Sequence, residues 1–478
     1  MKKYEQLAHD LSTSIRSGVF QSTQKLPSVR DLCEQYSMSL STVVRALDTM
    51  VDAGLIEARE RSGFYLKPEK NTEVELPITD YLLEEPTKVS HQQLSLGLVK
   101  STHEPSLCSM SMAIPDQTFL PVEELDRVYR KVLRTREHVR DRYEAMPGDA
   151  LLRQQLSIYM RSRGYVCNPE QFVVTSGCQE AVMLALRSCT QPGDTVAVET
   201  PTYPGFWQVC DFLNLNVLEI PTDPQEGISV GALEMAIERW EVKACLLSAN
   251  FSNPTGACMP DEKKQRVLSL CTKHDIIIVE DDVYGDLGAD IYFRPKPLKA
   301  FDRTGQVIYC SSFSKTLSPG MRVGWVISER FQNEIEYNKY VANLATASTP
   351  QHVIGEYLKL GKYDKTLQAT RLEYANQLSH IVGRIQQWFP DETRVTQPRG
   401  GFILWLALPR HVDTVELLEH ALRAGVSFMP GVLFSASSKF KHCLRLNCAR
   451  KWDDCLEEAL KRLGQLVTLA VQEKLDKA

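Results

Sequence analysis

No stretch of about 18 consecutive apolar residues occurs in the 478-residue sequence, so no membrane-spanning helix is expected. The N-terminus, MKKYEQLAHDL, lacks the apolar core of a secretory signal. Thirteen cysteines are present, yet no two form a CxxC pair, and most lie in apolar segments such as CLLSA and VIYCS. That pattern is expected of reduced, buried thiols in a cytoplasmic protein, with no metal site. Internal repeats and low-complexity tracts are missing as well. Positive charge is not in excess: the net charge is -5 and the pI is near 6.1. A general polyanion binder is thereby excluded, and any DNA contact must come from a local patch. What is present is the composition of folded protein, 43% apolar and 24% charged, at a length that suits two to four structural units.

The first seventy residues read as helix, helix, turn, helix, hairpin. Tyr4, Leu7, Leu11 and Ile15 recur at helical spacing up to Gly18. In LPSVRDLCEQYSM, Ser28 and Asp31 have capping-box spacing, and Val29, Leu32 and Tyr36 form an apolar stripe. The third helix, SLSTVVRALDTMVDAG, has Ser39 as its cap and Gly54 at its end. Val44, Leu47 and Val51 are expected to face inward, leaving Ser41, Thr42, Arg45 and Asp48 outside. LIEARERSGFYL then reads as two short strands about a turn at Ser62–Gly63. This is the order of a winged helix-turn-helix, whose third helix enters the major groove by its N-terminal half. Arg30 and Arg45 can reach bases or phosphate, short Ser39, Ser41 and Thr42 allow close approach, and Arg59 and Arg61 flank the wing tip. Charge alone does not decide the matter, because residues 1–68 carry only +1. The wording does. KLPSVRDLCEQYSMSLSTVVRALDTMVDAGLIEARERSGFYL resembles the DNA-binding domain of GntR-type bacterial regulators, which implies a double-stranded DNA operator as partner.

From Pro68 to about Cys108 periodicity weakens, with prolines at 68, 77, 86 and 105. A stretch this long without strong elements reads as a tether, with room for a short helix in ITDYLLEE. Beyond Glu170, apolar runs (FVVTS, TVAVE, NVLEI, ACLLSA, IIIVE, VIYCS, VGWVI) alternate with helices such as QEAVMLALRSC. That alternation predicts an α/β fold around a buried, mostly parallel sheet. After about residue 350, long helices bracket GGFILWLAL and CLRLN, which reads as a smaller α+β part. The expected domains are therefore 1–68, a linker at 69–107, and 108–478, the last with a large part at about 140–350 and a small part at about 351–478.

Polar clusters fall where strands of the sheet end, which is where open α/β sheets gather ligands. TSGCQEA opens a helix whose backbone N–H groups at Gly177, Cys178 and Gln179 can hold a phosphate. NPTG, EDDVY and SSFSKTLSPGMRVGW follow three further strands. One kind of molecule would need all of these groups, a phosphorylated aldehyde: a lysine to condense with it, a carboxylate beside a ring nitrogen, and an arginine for the phosphate. Residues from about 110 to 470 resemble a fold-type I, class I/II aminotransferase, and the resemblance implies pyridoxal 5′-phosphate as cofactor. It implies Lys315 as the Schiff-base lysine, Asp281 at the pyridine nitrogen, and Tyr284 and Asn253 at the ring oxygen. It further implies Tyr203 stacked on the ring, Ser312, Arg322 and the Gly177–Gln179 backbone on the phosphate, and Tyr143 reaching the neighbouring subunit's phosphate. Arg445, with Asn253 beside it, would bind a substrate carboxylate. Spacing to Tyr284 favours Asp281 over Asp282. Cys178 stands where serine or alanine is common, which matters little if only its N–H is used. Trp325, Trp405 and Phe402 are assigned to the core.

A GntR-like reader joined to an aminotransferase-like domain is similar to the MocR subfamily of regulators. That resemblance implies a head-to-tail homodimer whose effector domain senses the cofactor, or an amino compound, and adjusts DNA binding. A working aminotransferase with a secondary DNA-binding domain is the alternative, and a sensor of cofactor level alone is a third.

Overall fold

The computed structural model describes residues 4, 7, 8, 11, 26–36, 38–52, 56–59, 63–66, 83–88, 107–135, 141–290 and 294–475. The chain divides into two units, Met1–Glu73 and Val74–Ala478. Among the described residues no helix is long and apolar enough to cross a membrane.

In the first unit, helices α1 (Val29–Tyr36) and α2 (Leu40–Asp52) precede an antiparallel pair, β1 (Ile56–Arg59) and β2 (Gly63–Leu66). The capping box is formed: the Ser28 N–H donates to Asp31 Oδ2 at 3.1 Å, and the Asp31 N–H donates to Ser28 Oγ at 3.3 Å. Ser39 caps α2 through the Thr42 N–H at 3.4 Å. Leu7, Leu11, Leu32, Val43, Ala46, Leu47, Met50 and Ile56 make the core. One expectation fails here. Val43, not Val44, is the inward residue, while Val44 is 37% exposed and Leu40 60%. Val43, Ala46, Leu47 and Met50 complete a 3.6-residue stripe, and that register turns Val44 to the face of Ser41 and Arg45. Ile15, Gly18, Gly54, Arg61 and Ser62 lie outside the described residues.

The second unit is built on an eight-stranded sheet of order β4-β11-β10-β9-β8-β5-β6-β7. Its strands are β4 (Phe172–Thr175), β5 (Thr195–Thr200), β6 (Asn216–Asp223), β7 (Gly227–Ile228), β8 (Val242–Leu247), β9 (Ile277–Asp281), β10 (Val307–Ser312) and β11 (Gly324–Ile327). β6, β5, β8, β9 and β10 run parallel. β11 is antiparallel to both β10 and β4, so β4 points the same way as β10. The central strands are buried along nearly their whole length, which explains their uninterrupted apolar runs. The C-terminal ends of β4, β10, β9 and β8 therefore open on one edge, with Ser176–Gly177, Ser312–Lys315, Asp281–Tyr284 and Asn253 just beyond them.

The smaller part carries the antiparallel sheet β12-β13-β16-β15, of Arg394–Val395, Ile403–Ala407, Cys443–Asn447 and Met429–Pro430. Its apolar cluster takes in Trp405, Leu446 and Leu460, and also Cys108 and Met110 from far upstream. The upstream residues enter because β3 (Cys108–Ser109) pairs in parallel with β14 (Val426–Ser427). The 26-residue helix Tyr363–Trp388 joins the two parts, burying Leu367 and Tyr374 in the larger core and Leu378, Ile381 and Ile385 in the smaller. Trp325, Trp405 and Phe402 are fully buried, as their assignment to the core requires.

The segment read as a tether is not uniformly free of the body. Thr87 bridges Val217 of β6, giving and accepting backbone hydrogen bonds of 2.9 and 3.0 Å. Leu83, Glu84 and Glu85, the described end of the stretch read as a short helix, are not helical. Pro86 disfavours helical geometry at Glu85, and the strand edge supplies the partner instead.

Candidate functional site

Lys315 sits in the turn after β10. Its Nζ donates to the Ala113 carbonyl at 2.6 Å. Burial, with the Arg445 charge adding to it and Asp281 opposing it, lowers the amine to about 8. The turn is braced from outside by the Tyr363 hydroxyl, 3.0 Å from Thr316 Oγ1 and 2.8 Å from Asp286 Oδ2.

The adjacent carboxylates Asp281 and Asp282 have separate fates. Asp282 is taken up by the interior: Arg294 at 2.5 Å, and Asn250 and the Tyr309 hydroxyl each at 2.9 Å. Asp281 faces the site. It accepts the Val283 N–H at 3.0 Å. Burial raises it to about 6 against the Val283 N–H, a hydrogen bond from the Cys178 thiol and the Lys315 charge, which all favour the anion.

Tyr284 is buried edge-on to Phe402, with ring centroids 5.5 Å apart. Burial raises its hydroxyl above the usual phenol range, with Asn253 opposing the shift. Asn253 is itself buried, and its Oδ1 has no partner. Tyr203 lies edge-on to Phe206 at 5.8 Å and keeps 39% of its surface exposed.

At the end of β4 the cradle differs in one detail from expectation. The Gly177 N–H is already bonded to the Thr175 carbonyl at 2.9 Å. The first-turn N–H groups of Cys178 and Gln179, in helix Cys178–Cys189, have no intrahelical acceptor and are the donors left for an anion. Gly177 contributes space instead: its φ is +84°, and a Cβ there would run into the Arg322 guanidinium. Arg322 holds a left-handed backbone, φ +53°, and donates to the Ser176 carbonyl at 2.8 Å and to Ser314 Oγ at 3.3 Å. Ser312 is buried, with its Oγ 3.4 Å from the Ser314 N–H.

Arg445, on β16, is 2% exposed. It donates to the Ser111 carbonyl, lies over the Phe434 ring at 5.7 Å, and has no partner at Nε. Among the described residues no carboxylate pairs with it. Burial lowers it to about 10. A buried, unpaired guanidinium is a costly arrangement that an anionic ligand would relieve. Tyr143 is 85% exposed. Its loop is pinned by His352, whose ring nitrogens stand 2.9 Å from Glu144 and 3.3 Å from Asp149. Ala113, Ser111, Arg294 and Phe434 were not legible as site residues. Two act through backbone carbonyls, which leave no mark on sequence.

In the first unit, Arg30, Ser41 and Arg45 are exposed. Ser39 is occupied as a cap, with its Oγ also 2.8 Å from Thr42 Oγ1 and 3.1 Å from Ser41 Oγ. Arg45 stacks on Tyr4 at 4.4 Å. Arg59 pairs with Glu57 at 2.7 Å and stacks on Tyr65 at 4.3 Å. Both guanidinium groups are thus engaged by groups of their own unit.

Comparison with known proteins returns the same two parts. Residues 110–463 match the family described as aminotransferase class I and II, and residues 3–66 match the bacterial regulatory proteins of the gntR family. The HTH-type transcriptional regulator YjiR of Escherichia coli strain K12 is 36% identical over 99% of this chain and 100% of its own length. Among solved structures, Pyrococcus horikoshii kynurenine aminotransferase, crystallised with PMP, matches with a TM-score of 0.74 at 29% identity, covering 79% of this chain and 95% of that one. The α-aminoadipate aminotransferase LysN of Thermus thermophilus, complexed with N-(5′-phosphopyridoxyl)-L-leucine, matches with a TM-score of 0.73 at 28% identity, covering 79% and 96%.

Proposed function

Because the chain belongs to the MocR-type transcriptional regulators, which join a gntR-family DNA-binding domain to a class I and II aminotransferase domain, we propose that it is a DNA-binding regulator holding pyridoxal 5′-phosphate at Lys315 and a carboxylate-bearing amino compound at Arg445. The observation that carries this reading is the convergence of Lys315, Asp281, Asn253, Tyr284 and Arg322 on one sheet edge, with Arg445 buried and unpaired. The residues fit the cofactor. Asn253 Oδ1 and Arg445 Nε are buried without partners, and the Gly177 cradle has no room for a side chain. When bound, the cofactor supplies an aldehyde that condenses with a primary amine and a ring that withdraws electrons once its nitrogen is protonated. Asp281 would hold that proton, Tyr284 and Asn253 the ring oxygen, and Arg322, Ser312 and the Cys178 and Gln179 N–H groups the phosphate.

A head-to-tail homodimer in the cytoplasm completes the proposal. Tyr143 is exposed, and helix Gln332–Asn343 and the residue after it leave Tyr337, Tyr340, Val341 and Leu344 exposed. The end of this helix lies beside the cradle, where Asn343 bonds Glu180. A partner covering both features would bury that apolar face and bring a second Tyr143 to the phosphate. Two readers in one dimer engage two half-sites.

Two tests follow. Arg45→Ala is expected to weaken specific operator binding by roughly 1–3 kcal/mol. Footprinting reads this, and an unchanged footprint would reject a base-reading role. The second test concerns the amine. Its folded value near 8 lies below the ordinary 10.5, so the unfolded chain binds more protons between those values. The stability penalty is therefore complete below pH 8 and disappears as pH rises through 10.5. Lys315→Met is expected to exceed the cofactor-free parent in stability by roughly 3 kcal/mol below pH 8, and to lose that advantage near pH 10.5. Denaturant titrations at several pH values measure it, and a pH-independent difference would contradict the assignment.

A second reading, a working aminotransferase, is favoured by the same amine, since a group near 8 can take and return a proton at physiological pH. Incubation with amino acids and 2-oxo acids separates the two. Sustained turnover identifies an enzyme, and a single half-reaction a sensor.

A further inference from the structure

The ligand site and the tether are connected by one short loop. At its near end, the Phe434 ring lies under Arg445 at 5.7 Å, and the Phe434 carbonyl accepts the Thr202 N–H at 3.0 Å, next to Tyr203. Five residues on, Lys439 Nζ stands 3.0 Å from Glu84 in the tether and 3.2 Å from Glu219 in β6. Glu219 is also held by the Ala436 N–H at 2.8 Å, Ser437 Oγ at 2.5 Å and Thr200 Oγ1 at 3.1 Å. Beside this pair, Thr87 bonds Val217 on a stretch of β6 that β7 leaves open, since β7 covers only Thr222 and Asp223. Leu83 packs against the cluster of Leu218, Ile220 and Leu233.

We propose that Lys439 is a latch that holds the tether on the β6 edge, and that a carboxylate bound at Arg445 releases it. The second clause rests on the ligand reading above. The two ion pairs sharing Lys439 are unequal. The Glu219 side chain is 6% exposed and hydrogen-bonded on both oxygens, whereas Glu84 is 54% exposed with Lys439 as its ion-pair partner. Any displacement of the loop therefore breaks the Glu84 contact first, because water replaces Lys439 at little cost there and at large cost at Glu219. Arg445 is what presses on the loop. With no carboxylate partner among the described residues, its charge is met by the Ser111 carbonyl and the Phe434 ring face; a bound carboxylate draws the guanidinium off that ring and frees Phe434 to shift. Once the latch opens, the segment leading toward the DNA-binding unit departs from a later point on the body, which changes its reach.

Hydrogen exchange at the Thr87 amide, which donates to Val217, tests the latch without any ligand. Glu84→Gln in the full-length chain is expected to speed exchange about two- to fivefold, the worth of a half-exposed ion pair, and Glu84→Lys by more. Unchanged protection in both variants would overturn the latch. The pyridoxal phosphate chromophore, read in parallel, is expected to be unaffected, since neither variant touches the site. For release, the probe is N-(5′-phosphopyridoxyl)-L-alanine, which presents phosphate and α-carboxylate in one stable molecule. It is expected to speed Thr87 exchange in the parent chain and to add nothing in Glu84→Lys. Probe bound by calorimetry without faster exchange would overturn release. No probe uptake would instead sink the ligand reading and with it the release clause, while the two Glu84 variants still decide the latch.

Discussion

Lys315→Ala is expected to abolish the covalent attachment of pyridoxal phosphate altogether. The wild-type protein, saturated with cofactor and treated with borohydride, should carry an adduct on residue 315, and the variant should carry none at any lysine. The reason is chemical as well as positional. An amine held at about 8 is roughly one-tenth neutral at pH 7, several-hundredfold more than an ordinary lysine, and only the neutral form attacks an aldehyde. The phosphate anchoring proposed for Arg322 and the first-turn N–H groups would be untouched, so the variant should still bind the cofactor non-covalently in equilibrium dialysis. An adduct surviving elsewhere would show that another lysine is used. Loss of even non-covalent binding would show that Lys315 is holding the site's shape through Ala113.

Arg445→Leu should produce two opposite effects. Affinity for a carboxylate-bearing amino ligand should fall by about 2–5 kcal/mol, roughly 30- to 5,000-fold, because a buried charge-assisted pair loses one member. Stability of the ligand-free protein should hold or rise, since the guanidinium is 2% exposed with no carboxylate partner among the described residues, and an apolar side chain removes its desolvation cost. Calorimetry with the amino ligand and thermal melting of the free protein read the two quantities. A purely structural arginine would lower both together. That outcome would assign Arg445 to holding Ser111 and the start of the small part, and would remove the ligand carboxylate from the site.

Much of the architecture was legible because it rests on local repetition. Seven apolar runs became seven strands of the large sheet, and the helix read over QEAVMLALRSC formed as Cys178–Cys189. The polar clusters fell at one edge because parallel strands must end on the same side. Where local repetition was ambiguous, the expectation failed or stayed open. Val43 and Val44 are chemically equivalent neighbours, and only the stripe completed by Ala46 and Met50 chose between them. Asp281 and Asp282 are likewise adjacent; spacing to Tyr284 favoured Asp281, and Arg294, Asn250 and Tyr309 are what take Asp282 into the interior. The Gly177 N–H counted as a phosphate donor until a turn bond to Thr175 occupied it.

Sequence by itself determined the order of elements, the two-part construction, and the loops in which a lysine, a carboxylate, a tyrosine and an arginine would lie, because period, cap and turn chemistry act over a few residues. Only tertiary structure decided which of those groups meet. Arg445 reaches Ser111, Lys315 reaches Ala113 and Lys439 reaches Glu84 across hundreds of residues of chain. Such pairings follow from how the sheet and the smaller part pack, and no local pattern encodes them. The same packing sets which charges lose water, and so which side chain has a depressed amine, a raised carboxyl or an unpaired guanidinium to offer a ligand.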